Sequence, residues 1–335
     1  MTIRTLFVSN SPWARSGYGV QTAEIVPALQ DMGYEMVVLA FFGLQGGETE
    51  WEGIPIFPAG FKPYGNDVIV PTAQRWGADI VIPLMDIWVL DPRIFDAVRM
   101  VPYTPIDHAP VPAEVVKRLQ KSFDVIAYSK FASEEYKKAG INHHYAPHGV
   151  HTDTFYPRSD EERRVARAWC GISDDAFVVG MVAANQDPTF PTRKGFERIL
   201  PAIANLRKKG YDNLYLYIHT HPGQDMGGIP LIDTIKAFGC DDYTFLPRPG
   251  TYEGGGVSGN ELAKLYSVFD IYANPAMGEG FSVTLAESAA CGIPSIATDF
   301  SACKDICFSE WFIEPVTYMM TPLFSFQAIP SVESI

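Results

Sequence analysis

Two carboxylates, Glu279 and Glu287, stand eight positions apart in Gly278-Glu279-Gly280-Phe281-Ser282-Val283-Thr284-Leu285-Ala286-Glu287. Gly278 and Gly280 free the backbone around the first carboxylate for close approach or positive φ, and residues 281–290 have the apolar density of a buried helix. Glu279 therefore falls in a loop and Glu287 in the helix. A helix starting near 281 leaves the N–H groups of Phe281, Ser282, Val283 and Thr284 without intrahelical partners at the positive end of the macrodipole, which suits a phosphate. Capping or solvating the helix start is the other use of such glutamates. Ala286, Ala289, Ala290 and Cys291 make the helix apolar on most faces, however, and a buried Glu needs a partner or a ligand.

Three further clusters carry chemistry. Thr192-Arg193-Lys194-Gly195 precedes a helical pattern and follows an apolar β-type run. It sets a guanidinium fork and a compact ammonium beside a helix start, a clamp for a pyrophosphate if not a solvated surface pair. Ser16-Gly17-Tyr18-Gly19 follows the first apolar run and opens a helix, so Gly17 and Gly19 let backbone N–H groups approach an anion or simply form a tight turn. It departs from G-x-G-x-x-G, and no acidic residue stands in a ribose-binding place about 20 residues on, which disfavours a nicotinamide enzyme. Asp107-His108 lies in a Pro-rich segment after a mid-chain run. There His108 can hydrogen-bond or exchange a proton with a substrate hydroxyl, and Asp107 can orient it or touch an acceptor; a loop His satisfied by backbone is the alternative. Trp13, Trp88 and Tyr103 either stack on the ring of a ligand or fill core.

Positioning these residues requires an alternating α/β chain. Strands are expected at 5–9, 36–41, 80–84, 101–104, 125–128 and 144–146, then at 177–183, 214–220, 243–246, 271–274 and 293–298. Helices are expected at 20–31, 67–76, 113–121, 130–139, 194–208, 229–238, 260–268 and 281–291. Alternation of this kind gives mainly parallel sheets with right-handed crossovers. The polar stretch 147–157 interrupts it, so two Rossmann-like domains are expected, 1–157 and 158–335. Ligands in open α/β sheets bind beyond the carboxyl ends of strands, which places the site in a cleft between the domains.

Composition narrows the function. The 335 residues carry a net charge of −13, which argues against a broad basic surface for nucleic acid or anionic membrane. Five cysteines, an odd number, with several in apolar surroundings, fit reduced thiols. No C-x-x-C, H-E-x-x-H or G-x-S-x-G occurs, so zinc and covalent hydrolase chemistry lack support. No apolar run approaches a membrane span and the start reads as a strand, not a signal peptide, so cytoplasm is the expected compartment. Oligomeric state is not legible.

Taken in order, Gly17-Tyr18-Gly19, His108, Pro147-His-Gly-Val-His-Thr-Asp-Thr-Phe-Tyr-Pro157, Arg193-Lys194-Gly195 and Glu279-x7-Glu287 resemble the retaining glycosyltransferases of the GT-B fold, the group that includes bacterial mannosyltransferases, sucrose synthases and glycogen synthases. The resemblance covers roughly residues 5–305, and its last motif is the specific one. It implies transfer of a hexose from a nucleotide-diphosphate sugar to an unidentified acceptor, with retention and without metal or other cofactor. Arg193 and Lys194 would neutralise the leaving diphosphate, and Glu287 would bind the ribose. Glu279 with the backbone of Phe281, Ser282 and Val283 would position sugar and phosphates, and His108 would lie at the reacting face. Residues 215–220 and 246–250 would lie by the nucleobase. His148 and His151 stand where the resemblance has Asn and Asp, and the segment after Asp299 is shorter than the pattern. A nucleotide-sugar-binding module without turnover and a nucleotide-sugar epimerase or hydrolase are the alternatives.

Overall fold

A computed structural model describes residues 2–223, 227–252 and 256–335. The elements in chain order are β1 (Arg4–Asn10), α1 (Gly17–Asp31), β2 (Glu35–Phe42), β3 (Thr49–Trp51), β4 (Ile54–Pro58), α2 (Ile69–Trp76), β5 (Ile80–Pro83), α3 (Ile94–Ala97), α4 (Ala113–Leu119), β6 (Ile126–Ala127), α5 (Lys130–Lys138) and β7 (His144–Tyr145). They continue as α6 (Asp160–Cys170), β8 (Phe177–Val182), α7 (Phe196–Lys208), β9 (Leu214–His219), α8 (Leu231–Ala237), β10 (Thr244–Phe245), α9 (Gly259–Tyr266), β11 (Ile271–Asn274), α10 (Val283–Ala290), β12 (Ser295–Thr298), α11 (Ser301–Ile306), β13 (Trp311–Ile313), β14 (Pro315–Met320) and β15 (Phe326–Pro330). They form two compact units, one of residues 1–148 with 322–325 and one of 149–321 with 326–335. The division thus falls at 148/149, nine residues before the 157/158 boundary read from the sequence.

Unit 1 holds a five-stranded sheet of order β3-β4-β2-β1-β5, parallel except for β3. Its centre is apolar on both faces because helices cover a parallel sheet; Leu6, Val8, Val37, Leu39 and Val81 are buried in one cluster. The expected strand at 101–104 makes only the isolated parallel bridges Val81–Met100 and Tyr103–Ile126. Pro102 and Pro105 lack the N–H groups a ladder needs. The β3–β4 hairpin was not expected; Glu52 (φ 51°) and Gly53 (φ 77°) make its two-residue turn, left-handed at both positions as tight hairpins require.

Unit 2 carries a fully parallel six-stranded sheet of order β10-β9-β8-β11-β12-β13. In the unit's own chain order this is 3-2-1-4-5-6, the doubly wound Rossmann arrangement, whose switch point lies between β8 and β11. Phe196, Ile199, Leu200 and Ile203 of α7 pack on it, each burial contributing roughly 1.5–3 kcal/mol. α6 was not expected as a separate helix. Ser159 and Glu162 form its capping box, and Gly171 (φ 74°) ends it. α6 is fixed to the sheet by Asp270, which accepts from Arg163 (2.5 Å), Arg167 (2.7 Å) and the Val178 N–H (2.7 Å). The β14–β15 hairpin is antiparallel, and the Ala328 N–H of β15 donates to Met277 O (3.0 Å). All five cysteines are free thiols. Among the described residues no helix is long and apolar enough to cross a membrane.

Candidate functional site

At the switch point of unit 2 the loops after β8 and β11 are stitched together through backbone. The Met277 N–H donates to Arg193 O (2.8 Å), and Arg193 Nη1 donates to Gly278 O (2.9 Å). Gly195 sits left-handed (φ 75°), and a Cβ there would lie 2.1 Å from Pro275 O, so no other residue fits without moving the main chain. Thr192 Oγ1 accepts from the Gly195 and Phe196 N–H groups (both 3.1 Å) and contacts Glu197 (2.6 Å), capping α7 from outside. α7 therefore starts at Phe196 rather than 194, and Arg193 and Lys194 stay in the loop.

This stitching brings three expected site residues into contact. Lys194 Nζ bonds Glu279 Oε1, and Arg193 Nη1 lies 3.4 Å from Glu279 Oε2. Glu279 is itself oriented from behind, its N–H donating to Ser301 Oγ (2.9 Å) and its carbonyl accepting from the Ala302 N–H (3.2 Å). Burial, with the neighbouring Arg193 charge, holds the Lys194 ammonium below the ordinary lysine range, and Glu279 offsets part of that effect. Asp187 Oδ2 accepts from the Arg193 N–H (3.2 Å) and adds a second carboxylate, so an incoming anion competes with Glu279 and Asp187 for the two cations.

Ser282 (φ 67°) holds the left-handed position at the start of α10, and its hydroxyl accepts from Asn274 Nδ2 (2.7 Å). The helix consequently begins at Val283, two residues later than expected. Its Ser282, Val283 and Thr284 N–H groups carry no hydrogen bond among the described residues. No side chain caps this end, so it remains an open set of donors with the positive end of the helix dipole behind it. Glu287 lies one turn further in and is buried. Its Oε2 accepts from Tyr266 Oη (2.7 Å), while its other oxygen has no hydrogen bond among the described residues. Burial pushes the carboxyl up to about 7, with the Tyr266 bond acting in the opposite sense.

Unit 1 presents its own switch point between β1 and β5. Gly17 has open space around it, whereas a Cβ on Gly19 would meet Ala14 O at 2.1 Å. Gly17 thus leaves room for close approach, and Gly19 is needed for the turn itself. Ser16 Oγ caps α1 through the Gly19 N–H (3.1 Å) and accepts from Asn10 Nδ2 (2.6 Å). Tyr18 Oη donates to Asp86 Oδ2 (3.0 Å), joining the two loops. His108 Nδ1 lies 2.5 Å from Asp107 Oδ1. With Asp107 ionised, its Oδ1 accepts a hydrogen bond from Nδ1–H, which leaves Nε2 of the neutral ring as an acceptor for a hydroxyl. A recess of this unit is lined by Asp86, Trp88, Ile106, Asp107, His108 and Leu323.

Three residues of consequence were not legible as such. Asp86 follows the β5 run without a motif, and Tyr266 lies 21 positions before the carboxylate it holds. The sequence points to Ser282 through its N–H, and nothing in it signals the left-handed backbone (φ 67°). Of the aromatic candidates, Tyr103 is core and donates to Ala146 O (2.8 Å), whereas Trp13 and Trp88 are exposed. His148 is buried, stacked on Tyr128 (4.1 Å), and desolvation pushes it down to about 3, leaving it neutral. Among the described residues no group of three or more His, Cys, Asp or Glu side chains is placed to hold a metal ion.

The family described as "Glycosyl transferases group 1" matches residues 176–315, which contain all six strands of the parallel unit 2 sheet. A GDP-mannose-dependent alpha-(1-6)-phosphatidylinositol monomannoside mannosyltransferase of Mycolicibacterium smegmatis is 25% identical over 205 residues, 56% of this chain. The match spans 47% of that relative's length, about half. Among solved structures, a sucrose-phosphate synthase from Thermosynechococcus elongatus superposes with a TM-score of 0.71 at 17% identity, covering 95% of this chain and 87% of the other. A glycosyltransferase from Rickettsia africae gives 0.67 at 15% identity, covering 94% and 85%. Residues 176–315 of this chain thus match a glycosyltransferase family model, and the chain shares the GT-B fold with these solved structures.

Proposed function

We propose that the chain transfers a hexose from a nucleotide-diphosphate sugar to an acceptor with retention of configuration, using no metal ion. The observation that carries this reading is the pairing of Arg193 and Lys194 with Glu279 beside the open N-terminus of α10 at the Rossmann switch point. The cations and the Ser282–Thr284 N–H groups offer a diphosphate the counter-charge that a metal would otherwise supply. Glu279 accepts from hydroxyls of the donor hexose. The uncommitted oxygen of Glu287 takes the ribose hydroxyls, and His108 Nε2 accepts from a hydroxyl of the transferred sugar. Gly17 leaves room for the donor phosphates to approach the start of α1, and Asp107 serves the acceptor side by orienting His108.

In the reaction the acceptor oxygen bonds to the anomeric carbon on the face the diphosphate leaves. The carbon–phosphate oxygen bond breaks as the proton of the acceptor hydroxyl passes to that departing oxygen. No protein nucleophile takes part. Stabilising the charge that grows on the diphosphate is then the main work of Arg193 and Lys194, and removing one such contact costs about 10²–10³ in rate.

The test follows nucleotide-diphosphate release from UDP-, GDP- and ADP-hexoses, GDP-mannose first because the Mycolicibacterium relative is named for it. Lys194→Ala and Glu279→Ala should each lose about 10²-fold or more, and undiminished turnover in both refutes the reading. A new sugar epimer formed without acceptor points to the epimerase alternative. Nucleotide-sugar binding without any product points to a binding module.

A further inference from the structure

The four parallel strands β4, β2, β1 and β5 end at one edge of the unit 1 sheet, and the loops beyond them carry an arc of exposed aromatic rings. Among residues 2–148, five of the seven exposed aromatic side chains lie there: Trp13, Phe42, Phe61, Tyr64 and Trp88, against only Phe123 and Tyr145 elsewhere. Phe61 is fully exposed, at 104%. Aromatic surface gathered in this way marks a binding face.

The arc is held in shape. Trp13 Nε1 donates to Gly43 O (2.6 Å), next to Phe42. The Tyr64 ring meets Phe41 edge-on at 5.8 Å. Asn66 bonds Val89 O (3.1 Å) and the Asp91 N–H (2.6 Å), tying the Tyr64 loop to the turn that carries Trp88. Trp88 also lines the recess of Asp86 and His108, so arc and recess are continuous.

Charge and length select the occupant. The same four loops bear four carboxylates, Glu48, Asp67, Asp86 and Asp91, against three cations, Arg15, Lys62 and Arg93, and Arg93 is already paired with Asp91. An anionic lipid surface or a phosphate-rich chain finds no excess of cations on such a face. An uncharged carbohydrate suits it, with the apolar faces of its rings on the aromatics and its hydroxyls donating to the carboxylates. Three inter-strand spacings separate β4 from β5, about 14 Å, a span that a chain of sugars fills and a single ring does not.

We infer that this rim is an extended acceptor platform for an uncharged oligosaccharide, lying across the aromatic arc with its terminal sugar in the Asp86–His108 recess. The inference rests on the sugar-transfer reading for its placement of an acceptor in unit 1. It assigns several aromatic subsites to a molecule that a small-acceptor enzyme would hold in the recess alone.

Calorimetric titration of the full chain with α-linked manno- and gluco-oligosaccharides of one to five units tests it. In at least one linkage series the five-unit chain should bind at least tenfold more tightly than the two-unit chain. Trp13→Ala and Phe61→Ala should each cut that advantage below threefold, while Phe123→Ala, at an exposed ring away from the arc, keeps it. Both arc side chains are exposed, and an unchanged melting temperature checks that the variants fold. Affinity independent of length, or a length advantage that survives in both arc variants, overturns the platform. So does wild-type flotation with phosphatidylcholine–phosphatidylglycerol vesicles that Phe61→Ala abolishes. Binding of nucleotide sugar without any oligosaccharide binding overturns the platform and leaves the donor reading standing. Oligosaccharide binding without nucleotide-sugar binding does the reverse.

Discussion

Replacing Glu287 by Gln should stabilise unit 2 in a pH-dependent way, because the buried carboxyl has to ionise beside Tyr266 with one hydrogen bond among the described residues to support its charge. The group titrates near 7 in the fold against 4.5 for an ordinary Glu. Below 4.5 both folded and unfolded chains hold the proton, and nothing is lost. Between 4.5 and 7 the unfolded chain has released its proton while the fold retains it, so stability falls as pH rises. Above 7 the full cost is present. At 1.36 kcal/mol per pH unit it amounts to about 3 kcal/mol at pH 8 and about 1 kcal/mol at pH 5. The Gln side chain keeps an oxygen for the Tyr266 hydroxyl and carries no charge, so Glu287→Gln should raise the unit 2 melting temperature at pH 8 by roughly 5 °C or more and by much less at pH 5. Differential scanning calorimetry of both proteins at the two pH values reads this directly. An equal shift at pH 5 and pH 8, or a less stable variant at pH 8, refutes the reasoning. The same variant should bind nucleotide sugar more weakly, since it loses the charge offered to the ribose.

Nucleotide-diphosphate affinity should fall as pH rises through the lowered Lys194 titration, at a pH below that of an ordinary lysine; calorimetry from pH 7 to 10 should show the fall in wild type and a flatter profile in Lys194→Arg, whose guanidinium stays charged. Gly195→Ala should cost at least about 2 kcal/mol and weaken diphosphate binding, because both its φ and the Pro275 carbonyl exclude a Cβ; urea denaturation with ligand titration checks both effects. Asp270→Ala should destabilise unit 2 by about 3 kcal/mol, since it removes the carboxylate paired with the buried Arg167, leaving that guanidinium only neutral carbonyl acceptors, and with it the acceptor of the Val178 N–H, and a loss below about 1 kcal/mol in urea denaturation would refute that accounting.

Much of the fold was legible because parallel strands buried on both faces read as apolar runs. β8, β9, β11 and β12 sit within two residues of where the sequence puts them. The capping box Ser159-x-x-Glu162 is the local sequence signal for α6. The β14–β15 hairpin, by contrast, alternates weakly and carries Pro315 and Pro330 at its ends. In the candidate site, residue types located Arg193, Lys194 and Glu279, but their mutual contact depends on the sheet order placing β8 beside β11, which no local pattern encodes. Tyr266 was illegible for the same reason. Gly195 reads in the sequence as the tail of a charged motif, and only the nearby Pro275 carbonyl explains why it must be glycine.

The backbone stitching between the loops after β8 and β11 also bears on how this site can diversify. A loop that is free at its tip accepts inserted or deleted residues singly, but here Arg193 O, Gly278 O and the Pro275 carbonyl register one loop against the other. A length change in either loop displaces its neighbour, so variation at this rim is confined to side-chain exchange or to paired changes in both loops. New ligand preferences are more readily acquired in the unit 1 rim loops, whose ties run largely through the side chains of Trp13 and Asn66.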